Sequence, residues 1–266
     1  MPPISILRRG LRLVLLFAAI FIGLPIAAGG AWFYAQGWPT GWRQADWSSA
    51  GIAPDPRTDR EAIVQVYSAR TGRWKGMFAA HSWIVVKPRD ADRLARYDVV
   101  GWGHPVRRDG WDPDARWYGN VPRIERELRG AEAERLIPEI EAAIARYPYS
   151  NRGDYRVWPG PNSNTFTAWV ARQVPALGLE MPAIAIGKDY LGDGWNVAPT
   201  PSGTGWQASW SGLFGATIAG REGLELNVLG ATIGLDWEDL GIKLPSLGTV
   251  SAKSVGALIG APAPGP

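Results

Sequence analysis

Hydrophobic and polar positions alternate with different periods in successive regions of the chain. Residues 13–42 carry no charge, and a helix needs only about 20 apolar residues to cross a hydrocarbon core. Residues 13–35 are therefore expected to form a transmembrane helix, kinked at Pro25 because proline removes a helical hydrogen bond. Residues 1–12 precede it, and residues 36–60, with Pro54, Pro56 and several charges, read as a linker lifting a domain off the membrane. The domain is expected over 61–252. Residues 62–67 are rich in β-formers, 71–73 supply turn chemistry and 77–86 form a second apolar run, together a hairpin. Period-two alternation puts Ala79, His81, Trp83 and Val85 on one face of the second strand, opposite Ala80, Ser82, Ile84 and Val86. A third, glycine-broken run over 97–104 pairs beside it and carries His104, the only other histidine.

The period then changes. Ala133, Leu136, Ile137, Ile140, Ala143 and Ile144 recur at helical spacing within 131–147, and Pro148 or the 149–151 turn ends that helix. A second helix follows Asn162 and Ser163, with Phe166, Trp169, Val170 and Val174 on one stripe and a stop near Pro175 and Gly178. Beyond Met181 the chain turns to Gly, Trp, Ser and Thr in short segments, read as irregular β structure. Residues 213–218 echo in 228–233, which suggests a hairpin formed by that pair. Residues 253–266 have the makeup of a disordered tail. Strands, helix and second helix in this order predict an α+β domain with a mixed, mainly antiparallel sheet rather than a doubly wound parallel one.

Charge alters this picture at one end only. The chain has 28 Lys plus Arg against 25 Asp plus Glu, and Arg8, Arg9 and Arg12 account for the difference. The body is neutral, so the basic excess is a topology signal and no nucleic acid is expected as partner. Arginines before the span and none just after it predict a single-pass protein of the bacterial inner membrane, with a cytoplasmic N-terminus and a periplasmic domain. Trp32, Tyr34, Trp38 and Trp42 would form the outer interfacial belt. Cleavage at the small residues 27–31 is the competing reading, and the uncleaved anchor is preferred because the apolar run outlasts a signal-peptide core. The chain has no cysteine, which excludes disulfides and thiolate chemistry.

Candidate chemistry centres on residues 160–170. A polar turn runs into a helix, placing Ser163 where free N–H groups and the positive dipole end favour an anion or a developing oxyanion. The alternative reading is an N-cap before a core helix. His81 on a strand, His104 after it and Ser163 opening a helix, with Phe166 three residues later, resemble the circularly permuted branch of the NlpC/P60 papain-like superfamily. That resemblance implies a nucleophile at 163, a general base at His81 and an orienting residue at His104. Serine stands where that family has cysteine, so its base must remove the proton during attack. Residues 81–83, 161–166 and 235–245 resemble a bacterial domain of unknown function, family 3750, whose members carry an N-terminal membrane span. That implies an envelope location and no reaction.

Two functions fit these residues. One is a degenerate papain-like domain binding an envelope peptide, glycan such as peptidoglycan, or protein; it is preferred because the thiol is missing. The other is a serine hydrolase or acyltransferase acting on envelope amides or esters. Ligand contacts are expected from Asn162, Asn164 and Thr165 and from Trp83 and Trp158, since aromatic faces stack on sugars and peptides. The carboxylates at 112, 114, 154 and 236–239 lack the spacing of a metal loop. No phosphate-binding glycine loop is present, and no cofactor or metal is expected. The lipid bilayer, through residues 13–35, is the remaining partner.

Overall fold

A computed structural model describes residues 3–37 and 41–252. Helix α1 (Pro3–Ala18) continues through a π-helical turn (Ala19–Gly23) into α2 (Leu24–Ala35). The stretch Leu7–Ala35 is long and apolar enough, by length and composition, to cross a membrane. The wide turn lies just ahead of Pro25, whose missing N–H and bulky ring crowd the carbonyl four residues back, and one extra residue per turn relieves that clash.

The helix does not stand clear of the domain. Pro25 and Gly29 are buried, and a Cβ on Gly29 would fall 1.6 Å from the Ser246 hydroxyl. Only glycine permits that approach. The Arg70 guanidinium lies 4.9 Å from the Trp32 ring centroid. The expected interfacial belt is therefore divided: Tyr34 is exposed, Trp32 sits under Arg70, and Trp42 packs at a tilt against Trp47, ring centroids 3.9 Å apart. Trp38 lies outside the described residues, as does the tail at 253–266. The segment read as a linker is also packed down. Asp114 accepts hydrogen bonds from the N–H groups of Ile52 and Ala53 and from the Ser49 hydroxyl.

Strands β1 (Ile63–Arg70), β2 (Ala80–Lys87), β3 (Ala95–Val99), β4 (Val106–Arg108) and β5 (Arg123–Arg129) form an antiparallel sheet in the order β4-β3-β2-β1-β5. The β1–β2 hairpin is the one expected from the two β-rich runs. One face of the sheet holds Val64, Val66, Ile84 and Val86 against α3 (Gly130–Ala145) and α4 (Ser163–Gln173), which contribute Leu136, Ile140, Phe166 and Val170. The opposite face packs Tyr67, Trp83, Val85, Val100 and Trp117 in a second cluster. A residue on either face loses contact with water, and each large aliphatic side chain so buried contributes roughly 1.5–3 kcal/mol.

The C-terminal part is regular where irregular structure was expected. Strands β6 (Trp195–Pro199), β7 (Gly205–Trp210), β8 (Phe214–Ala219), β9 (Gly223–Val228), β10 (Ala231–Asp236), β11 (Gly241–Leu244) and β12 (Gly248–Val250) run as a seven-stranded antiparallel meander in sequence order. The echoed segments at 213–218 and 228–233 do not pair with each other; β9 lies between β8 and β10 and pairs with both. Cross-strand register sorts the meander into two unlike faces. On the outer face one row runs Pro199, Trp206, Ile218, Leu224, Leu235, Ile242 and Val250, and the next runs Val197, Ala208, Ala216, Leu226 and Ile233. The inner face carries Gln207, Thr217, Glu225 and Lys243, all buried. These polar groups are paired. Glu225 bridges Lys188 at 2.5 Å and Lys243 at 2.8 Å, and Arg172 donates to Gln207.

Candidate active site

The start of α4 is fixed by Asn162. Its side-chain oxygen accepts from the N–H groups of Asn164 and Thr165, and Thr165 Oγ1 accepts from the Asn162 N–H in return, closing a capping box. Its amide nitrogen donates to the carbonyls of Val157 and Ile186. Ser163 is the first helical residue. Two of the helix-start amides are taken by the cap, so the Ser163 N–H is the one left open, and among the described residues no hydrogen bond holds its hydroxyl.

Asn164 ties this helix start to β2. Its amide nitrogen donates to the Ala80 carbonyl at 2.9 Å and its oxygen accepts from the Ser82 hydroxyl at 2.8 Å. Ala80 and Ser82 flank His81. The residue beside Ser163 is thus bonded to both neighbours of His81, which fixes the strand position against the helix end.

The His81 ring is buried and stacks on Trp117 with centroids 3.8 Å apart and planes 5° from parallel. Its Nε2 lies 3.5 Å from Asp98 Oδ2, close enough for electrostatic pairing and longer than a well-formed hydrogen bond. Asp98 also receives the Arg96 guanidinium at 2.9 Å, which itself lies 4.0 Å from the Trp83 ring centroid. Burial pushes the His81 pKa below its ordinary 6.5; Asp98 pulls it back and the Arg96 charge adds to the depression. The ring is neutral at neutral pH. Nε2 faces the carboxylate without a formed hydrogen bond.

His81 and Ser163 line one cavity of about 410 Å³, walled by Trp74, Phe78, Trp102, Tyr155 and Trp158. Its walls are largely aromatic, and Trp74 and Phe78 belong to the segment against which α2 packs. A larger groove of about 770 Å³ runs between Arg70, Arg123, Glu125 and the second sheet. It holds neither His81 nor Ser163, so the chemistry points to the smaller, apolar cavity. Among the described residues no group of three or more His, Cys, Asp or Glu is placed to hold a metal ion.

A family model described as a protein of unknown function (DUF3750) matches residues 61–190. This segment is a DUF3750 domain. It contains Ser163, His81 and Asp98 and ends before β6, so the meander lies outside the matched residues. No curated protein and no solved structure matches the chain.

Within the DUF3750 segment the expected site residues separate. Ser163 and His81 share the cavity. His104 does not join them: β3 ends at Val99, and His104 sits on an exposed bend away from the cavity wall. The β2–β3 register carries His81 opposite Val100, so His104 lies beyond it, past the strand-breaking Gly101 and Gly103. Asp98 occupies the position the reading gave to His104. Of the expected ligand contacts, Asn162, Asn164 and Thr165 spend their polar atoms on internal bonds. Trp83 is fully buried, donating from Nε1 to the Pro113 carbonyl. Trp158 alone among them is a half-exposed wall of the cavity, its indole nitrogen bonded to the Leu229 carbonyl.

Proposed function

We propose that Ser163, His81 and Asp98 form a serine acyl-transfer centre acting on an ester or amide with an apolar acyl portion, in a domain held at a membrane by its N-terminal helix. The shared cavity carries this reading: His81, neutral and backed by Asp98, and Ser163, its hydroxyl unbonded, line the same walls, at a helix start that Asn164 ties to β2. In the proposed reaction Ser163 Oγ attacks the carbonyl carbon while His81 Nδ1 takes its proton. The tetrahedral oxyanion is met by the Ser163 N–H and the dipole of α4. Asp98 stabilises the imidazolium, which returns the proton to the leaving group; water or a second nucleophile then releases the acyl chain. The aromatic cavity suits a lipid-like acyl chain. Arg8, Arg9 and Arg12, at the N-terminal end of the helix, favour a cytoplasmic N-terminus and a domain on the far side of a bacterial inner membrane.

A binding function without turnover is the second reading, favoured by one observation. Asp98 divides its charge between His81 and the closer Arg96, and no hydrogen bond joins Ser163 to His81 among the described residues. A fluorophosphonate probe on the full-length protein in detergent separates the two. Acyl transfer predicts labelling of the wild type that is lost in Ser163→Ala and His81→Ala, with circular dichroism unchanged. A folded wild type that takes no label leaves the binding domain.

A further inference from the structure

The seven-stranded meander has its sidedness reversed. A sheet folded in water turns its apolar rows to the core and its polar rows to solvent. Here the inner face holds the paired charges of Lys188, Glu225 and Lys243, and the outer rows are apolar throughout. Trp206, Ile218, Leu224, Leu226, Leu235 and Ile242 are each exposed by 40% or more. Contiguous apolar surface of this extent is uncommon on soluble monomers and marks a contact face.

Its position says what covers it. Strand β10 lies against the π-helical turn at Ala19–Gly23, and on that strand Ile233, at the end of its row, is buried while its row neighbour Leu226 is exposed. The outer face is thus continuous with the apolar helix, whose own side chains at Leu13, Val14 and Leu15 are bare. Helix α2, which leads from this contact to the domain-side end of the helix, has 12 residues and is about 18 Å long. One leaflet's hydrocarbon is about 15 Å deep. A helix placed across a bilayer therefore carries the outer face down to the acyl chains of the leaflet on the domain side. Strands β7 to β11 are paired on both edges, so in the middle of the sheet only side chains meet lipid and no backbone group is left unpaired.

We propose that the outer face of the meander is a lipid-contacting surface, seated in the leaflet that surrounds α2, which makes the domain monotopic in addition to its helical anchor. This rests on the reading of residues 7–35 as a membrane span, and the test separates the two. The chain has no cysteine, so single nitroxide labels are placed by Ile218→Cys, Leu226→Cys, Leu15→Cys and Arg152→Cys in the full-length protein. The labelled proteins are reconstituted in phosphatidylethanolamine and phosphatidylglycerol vesicles. Relaxation by lipid-soluble oxygen is compared with that by a water-soluble nickel chelate. The expected result is severalfold stronger relaxation by oxygen at 218, 226 and 15, and the reverse at 152. Labels at 218 and 226 that meet the chelate while 15 meets oxygen overturn the proposal and leave the anchor standing. Chelate access at all four sites overturns both. Labels at 218 and 226 shielded from both agents overturn it as well, with spin–spin broadening assigning the face to a second copy and its absence to another protein surface.

Discussion

The two sheets of this molecule solve the burial of side chains in opposite ways. The five-stranded sheet is buried on both faces, its apolar face covered by α3 and α4 and its mixed face by an aromatic cluster. Its buried polar side chains include Gln65, Ser82, Lys87 and Arg96 as well as His81 and Asp98, and the last two are the candidate chemistry. The meander keeps its charges inside and its apolar rows outside. In the first sheet buried polar side chains are a minority among apolar neighbours; in the second they are the rule, held by reciprocal pairing. The same residue type thus carries different information in the two sheets.

The largest effect is expected where that pairing is cut. Glu225→Ala leaves Lys188 and Lys243 as buried ammonium groups without their shared carboxylate, and breaking such a pair costs about 3–5 kcal/mol. Urea unfolding followed by tryptophan fluorescence in mild detergent measures it, and a loss below about 1 kcal/mol would show that the inner face is hydrated. In the first sheet, Ile84→Ala opens a cavity in a two-sided core and is expected to cost about 2–5 kcal/mol in the same assay. Asn162→Ala removes the cap of α4 and two buried donors, with an expected loss of about 1–2 kcal/mol.

A pH series gives the next comparison. The folded pKa of His81 lies below its ordinary 6.5, so below that pH the unfolded chain binds more protons. Its contribution to stability is complete above pH 6.5 and declines as pH falls, by at most about 1.4 kcal/mol per pH unit. His81→Gln should remove that share of the slope between pH 6.5 and 5, leaving the carboxylate contribution; equal slopes in the two proteins would place His81 in a hydrated setting. The smallest effect is expected from Leu226→Ala on the outer face of the meander, within about 0.5 kcal/mol in detergent. A loss as large as that of Ile84→Ala would mean that this face is packed against protein and would erase the contrast.

The sequence was legible where local chemistry and sidedness agree. The cap at Asn162, the helix stripe behind it and the strand parity of His81 all follow from short-range rules. Asp98 was missed because a charged residue in a short strand reads as solvent-facing; only its alternation with Arg96, both fully buried, signals that the pair lies under a sheet. His104 drew attention as the second histidine, although the glycines at 101 and 103 already broke the strand before it. In the meander the alternation is plain, as in residues 206–210, where Trp, Ala and Trp alternate with Gln and Ser. Alternation fixes which residues share a face and leaves open which face is inside, and frequent glycine and tryptophan obscured even the strands.

The central claim is that Ser163 is a nucleophile activated by His81 with Asp98 behind it. It is tested most directly by the inactivation rate with a fluorophosphonate, wild type against Asp98→Asn, with the adduct located by peptide mass. The account predicts an adduct on Ser163 and a rate at least about tenfold lower in Asp98→Asn, since a stabilising charge on the base contributes roughly 1.4 kcal/mol or more to the transition state. An adduct elsewhere, none at all, or an unchanged rate in Asp98→Asn would contradict it.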